Sequence, residues 1–242
     1  MLNKTVLLNA ISKYHLAGAI ERVKWNVEDN TLKVNFINDS QNLVGEIECR
    51  GIIVKDGTYG IFDTNGLIKM VSVLDQEILI DVVKEGTTPS KLIIADTHVD
   101  LKYNLADPQV IPKTPTITGM GDKAFTFELT PEFISKFIRA KDALGEDVFF
   151  ISTQDGFANK EVIISVGKKS SNTVTFRQDI SISEDISTPI PFNADLFKEI
   201  LRANRNSPIG KVSLNPKGLL IVEFEADETT SKYYLVRNQN SN

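Results

Sequence analysis

Four helix-forming segments recur in this chain at one fixed offset. Residues 3–14 place Val6, Leu7, Ala10, Ile11 and Tyr14 on one helical face, with Thr5, Asn9 and Ser12 opposite, and Asn65 opens a shorter apolar stretch over 65–74. Thr130-Pro131 supplies a cap and first helical residue for a third helix, with Phe133, Ile134, Phe137, Ile138 and Leu144 inward. Asn193 caps a fourth, running to about residue 206 with Leu196, Ile200, Leu201 and Ala203 inward. The first and third begin 128 residues apart (3 and 131), as do the second and fourth (65 and 193). Self-similarity at half the length of a 242-residue chain asks for two copies of one domain, and chance recurrence of mixed segments is the competing explanation.

The rest alternates with period 2. Val23, Trp25 and Val27, then a turn at Asp29-Asn30, then Leu32, Val34 and Phe36 read as a hairpin. Further strands are expected over 44–54, 58–63, 77–83, 91–96, 99–105, 124–129, 147–153, 161–167, 173–180, 211–214, 218–225 and 231–237. Each half then runs helix, hairpin, further strand, helix and a closing pair of strands, an α+β fold. Residues 105–122, LADPQVIPKTPTITGMGD, hold Pro108, Pro112 and Pro115 and no periodic pattern, which marks an extended connector. The expected organisation is one domain over 1–105, a connector over 106–122 and a second domain over 123–242.

Catalytic arrangements are missing from the sequence: no nucleophile elbow, phosphate-binding loop or zinc-protease helix motif occurs. Gly119-Met120-Gly121-Asp122-Lys123 lacks the strand–turn–helix context of a dinucleotide loop. Cys49, the one cysteine, lies on a strand-like run where packing is the expected role, and His98 beside Asp96 and Asp100 reads as a surface residue. Neither His15, His98 nor the carboxylates show metal-ligand spacing. Asn9, Ser12, Lys13 and His15 interrupt the N-terminal apolar run too early for a signal peptide, and no run approaches the ~20 apolar residues of a membrane span. The chain is expected not to be an enzyme and to need no cofactor, metal or membrane.

Net charge is −5, which excludes a protein that binds nucleic acid with its whole surface. Charge is nevertheless segregated. The windows 2–14, 65–74, 131–142 and 193–206 hold nine basic residues (Lys4, Lys13, Lys69, Lys136, Arg139, Lys141, Lys198, Arg202 and Arg205) against four acidic ones, leaving 18 against 28 elsewhere. Lys198, Arg202 and Arg205 share one face, as do Ser135, Lys136 and Arg139, whereas Lys141 falls nearer the apolar side. Any amphipathic helix has a solvated face. A bias of one sign over four helices in an acidic chain points instead to a surface for phosphates, and these nine residues are the candidate DNA contacts. No stacking platform or recognition helix accompanies them, so the contact is with the backbone, independent of base sequence.

The segments FDTNGLIKMVSVL (62–74), KLIIADTHVDLKYNLADP (91–108) and FISKFIRAKDAL (133–144), in this order within a doubled chain, resemble the DNA polymerase sliding clamps of the PCNA-like superfamily, most closely those of tailed bacteriophages. The resemblance implies a homotrimeric ring of six similar domains, with helices lining the hole and antiparallel sheets outside. Such a ring encircles double-stranded DNA and tethers a DNA polymerase as its processivity factor in replication. An ATP-dependent clamp loader is the second implied partner, with transcription or repair factors as further ones, in the cytoplasm (the host's if the source is viral). It also implies an apolar pocket for partner peptides, for which Val110, Ile111, Pro112, Tyr234 and Val236 are the candidates; strand core is the competing role for Tyr234 and Val236. Subunits would join edge to edge, 99–105 against 173–180 of a neighbour. Helix 65–74 departs from the pattern by offering only Lys69. An acidic, β-rich virion or tail structural protein is the alternative from another class, and a hydrolase with unrecognised carboxylates a third.

Overall fold

The computed structural model describes residues 1–118, 121–156, 160–168, 170 and 172–238. Gly119 and Met120 of the glycine-containing stretch therefore lie outside the described residues. The chain forms two compact units, one of Met1–Asp39, Val44–Pro115 and Asp227–Ser231, the other of Ser40–Leu43, Thr116–Ala226 and Lys232–Asn242. The principal division, at Pro115, falls inside the stretch expected to connect two domains.

The first unit runs β1 (Leu2–Asn3), α1 (Lys4–His15), β2 (Val23–Glu28), β3 (Thr31–Ile37), β4 (Leu43–Cys49), β5 (Gly57–Ile61), α2 (Thr64–Ser72), β6 (Glu77–Glu85), β7 (Thr88–Ala95) and β8 (Asp100–Asn104). Its strands order as β5-β2-β3-β4 and β1-β6-β7-β8. The second half of the chain runs β9 (Phe125–Glu128), α3 (Pro131–Leu144), β10 (Val148–Asp155), β11 (Lys160–Val166), β12 (Val174–Asp179), β13 (Ile190–Asn193), α4 (Ala194–Ala203), β14 (Ile209–Asn215), β15 (Leu219–Ala226) and β16 (Thr229–Val236). Its orders are β13-β10-β11-β12 and β9-β14-β15-β16. Strand for strand the two topologies coincide. α1 and α3 begin 127 residues apart and α2 and α4 begin 130 apart.

Local chemistry accounts for the element ends. Asp29 and Asn30 both adopt positive φ (48° and 57°), the tight hairpin turn between Glu28 and Thr31, whose strands bury Val23, Trp25, Val27, Leu32, Val34 and Phe36. The Thr130 hydroxyl accepts the Phe133 amide at 3.1 Å, Pro131 occupies the first turn of α3, and Gly145 closes it at φ 67°. α2 starts one residue before the expected Asn65 because the Asp63 carboxylate is the cap, accepting from the Gly66 amide at 2.7 Å. α4 stops at Ala203, short of 206. There the buried Asn204 amide turns back to the Ile200 carbonyl (2.9 Å) and to the Tyr233 hydroxyl (2.8 Å).

Each unit has its own core. In the first, α1 and α2 pack together, and the Trp25 indole donates to the buried Tyr14 hydroxyl at 3.1 Å. In the second, Phe137 of α3 meets Phe197 of α4 edge-on at 4.8 Å, and Phe197 stacks on Phe149 of β10 at 4.9 Å. Several inward residues differ from expectation: Val6 is exposed, Ile138, Leu144, Leu196 and Ala203 are half-buried, and Phe197 and Ala140 fill the interior. The strand expected over 44–54 ends at Cys49, since Gly51 at φ 77° breaks it, although Ile52 and Val54 stay buried. β1 and β13 are strands the alternation did not announce, being two and four residues long.

Candidate nucleic-acid interface

The basic residues of the four helices divide into three kinds. Two are interior. Lys13 is 4% exposed, and burial pulls its ammonium below the ordinary lysine range, with neighbouring Cys49 a smaller opposing influence. Lys141 is 6% exposed and holds Asp195 at 3.0 Å and Asp147 at 3.6 Å. Neither presents a solvated charge, which departs from their place among the candidate DNA contacts. The reason is tertiary: each sits on the apolar side of its helix with its stem in the core.

A second kind is tied to partners within its unit. The Lys4 ammonium donates to the Leu74 carbonyl just past α2. Lys136 pairs with Glu132 at 2.6 Å across one turn. Lys198 meets Asp142 at 3.0 Å and Glu199 at 3.6 Å, while Arg202 meets Glu199 at 3.0 Å and Asp142 at 3.8 Å. The Lys198 hydrogen bond, foremost, holds the Asp142 carboxyl below the usual carboxylate range. The third kind is exposed and, among the described residues, has no carboxylate partner: Lys69 on α2, Arg139 on α3, whose guanidinium reaches only Ser135, and Arg205 beyond the end of α4.

The helices as they form carry eight basic residues (Lys4, Lys13, Lys69, Lys136, Arg139, Lys141, Lys198 and Arg202) against Glu132, Asp142, Asp195 and Glu199, or +4. Burial of Lys13 and Lys141 reduces the surplus that solvent sees to +2. All of it comes from Lys4 and Lys69 in the first unit, whose helices carry no acidic residue, whereas in the second unit Lys136, Arg139, Lys198 and Arg202 are balanced by the four carboxylates. The rest of the polar face of α1 and α2 is made chiefly of Thr5, Asn9, Asn65 and Ser72. Such a surface attracts phosphate weakly and without base readout.

The peptide-pocket candidates are also placed unequally. Ile111 is 3% exposed and Tyr234 5%, so both are core residues, whereas Val110 (58%) and Val236 (38%) are open apolar surface. Pro112 is exposed beside a small cleft lined by Gly18–Arg22, Ile37 and Asp39 in the first unit. The second unit contains an open cleft of about 800 Å³ along Glu184–Pro191, with Pro216, Arg237 and Asn238. Sequence reasoning missed it, because its Ser-Thr-Pro-rich wall has no periodicity and reads as plain loop.

Cys49 is buried, burial raises its thiol pKa, and the Thr229 hydroxyl donates to its sulfur at 3.4 Å. His98 is exposed, with its backbone amide bound to Asp96. Among the described residues no His/Cys/Asp/Glu group has the arrangement of a metal site, and no helix is long and apolar enough to cross a membrane.

No family model matches the sequence, and no curated protein matches it. Solved structures do match. The proliferating cellular nuclear antigen of Entamoeba histolytica is similar with a TM-score of 0.74 at 17% identity, over 98% of this chain and 96% of that one. The PCNA of A. fulgidus, solved with the C-terminal region of FEN-1 bound, is similar with a TM-score of 0.74 at 16% identity, over 100% of this chain and 98% of that one. The chain has the α+β fold of these proteins along its full length.

Proposed function

We propose that the chain is the subunit of a sliding clamp, a non-catalytic ring that encircles duplex DNA and tethers a DNA polymerase during processive synthesis. The observation that carries this reading is the end-to-end fold match to two PCNA structures, in a chain whose own two halves repeat one topology. A ring holds DNA by enclosure, so its lining needs only weak, exchangeable phosphate contacts, and a surplus of +2 with exposed Lys69, Arg139 and Arg205 suits that task better than a strongly basic surface.

The edges suggest how the ring closes. β8 ends one sheet order and β12 ends another, so each offers a row of unpaired backbone groups. Pairing β8 of one copy with β12 of the next gives a heterologous contact, and three such contacts close a homotrimer. A loader driven by ATP opens it. Partner peptides dock on exposed apolar surface, Val110 in one unit and Val236 beside the open cleft in the other. The bound FEN-1 segment on the A. fulgidus PCNA supports such docking.

Light scattering is expected to give roughly 81 kDa, three chains of 26.9 kDa. Hydrogen exchange across a dilution series should show β8 and β12 amides losing protection together as the trimer dissociates, with β7 and β11 unchanged. A monomer at every concentration, with those edges always unprotected, contradicts the assignment.

A further inference from the structure

Asp142 stands where two basic side chains of the second unit converge. Lys198 and Arg202 lie one turn apart on α4, and both reach the same carboxylate on α3. Glu199 holds them from their own helix but is itself largely covered, with 17% of its side chain exposed against 51% for Asp142. The carboxylate open to solvent, where an approaching phosphate would meet this pair, is therefore that of Asp142. Arg139, one turn before it on α3, has only Ser135 as a partner among the described residues.

We propose that Asp142 is a built-in competitor for DNA phosphate: it holds Lys198 and Arg202 in a protein ion pair that phosphate must displace, and thereby limits how tightly the lining grips the duplex. The inference rests on the sliding-clamp reading and adds a regulation of the same surface. The Arg202–Asp142 pair is about half exposed on both sides, and such pairs are worth little, so phosphate can open it, while Lys198 is more covered (16%) and is held more firmly. Each pair opened returns a carboxylate that repels the backbone. The contacts stay brief. Without Asp142 the same two cations would be available outright, and motion along DNA would meet more friction.

The test is fluorescence anisotropy of a labelled short DNA duplex over a KCl series, with wild type, D142N, K198A/R202A and the triple variant D142N/K198A/R202A. D142N is expected to bind roughly three- to ten-fold tighter, with a log–log salt slope steeper by about one. In the K198A/R202A background the same substitution should have no effect, because Asp142 acts through those two side chains. E199Q, which frees Arg202 without touching α3, should shift binding in the same direction. Unchanged affinity in D142N, or an equal gain in the K198A/R202A background, overturns the proposal. If K198A/R202A and R139A/R205A both bind as wild type does, it is the reading of these helices as the DNA-facing surface that fails.

Discussion

Lys141 shows what a single residue can and cannot disclose. Helical spacing places it on the apolar side of α3, which was legible. Its partners Asp147 and Asp195 were not, because one lies past the helix end and the other on α4. Lys141→Ala is expected to cost about 1–2 kcal/mol, chiefly through lost stem packing, since the exposed Asp195 and Asp147 carboxylates stay hydrated, and Lys141→Met about half that, since the stem remains. Urea unfolding measures both. Asp96 carries a different prediction. Its carboxylate accepts the Asp75, His98 and Val99 amides, each at 2.7 Å, and these bonds, the Asp75 one foremost, hold its pKa below the ordinary range. A depressed folded value means the stabilisation is complete above the unfolded pKa of about 3.9 and is lost as pH falls through the folded one. The stability gap between wild type and Asp96→Ala should thus be constant near neutrality and close under acid; a gap that widens below pH 4 contradicts this.

Among the elements, those with strong local signals were legible: the hairpin through Asp29-Asn30, and α3 between Thr130-Pro131 and Gly145. Short pieces defined by their neighbours were not. β13 is a strand because β10 pairs with it, despite Pro191, and β1 because β6 lies beside it. The end of β8 is fixed in the same non-local way. Ala106 donates its amide to the Gly60 carbonyl at 2.9 Å, and a Cβ on Gly60 would stand 2.3 Å from the Ala106 oxygen. Gly60→Ala must therefore push residues 106–108 off β5. The expected result is a cost of about 1–3 kcal/mol and faster proteolysis within 105–115, with cleavage elsewhere unchanged. Undisturbed protection there would contradict that account.

At the scale of the whole molecule, the repeat was the most legible feature, since helix caps recur at a spacing that insertions in loops blur by only a few residues. The charge pattern was legible in sign but overstated in size. Burial of Lys13 and Lys141, and the carboxylates paired with Lys136, Lys198 and Arg202, depend on contacts that no linear window contains. What survives is the fold shared with the two PCNA structures and a helix surface that is only weakly basic, on which the proposed clamp would hold DNA by enclosure rather than by attraction. Enclosure is therefore the claim to test. The protein, its subunits joined by a bifunctional cross-linker, is allowed to thread onto a linear duplex tethered at one end, and the free end is then capped with streptavidin. A closed ring predicts retention through a wash at high salt until a restriction cut opens the duplex, whereupon the protein leaves. Loss in the same wash with the end still capped, as fast as from uncapped DNA, would contradict it.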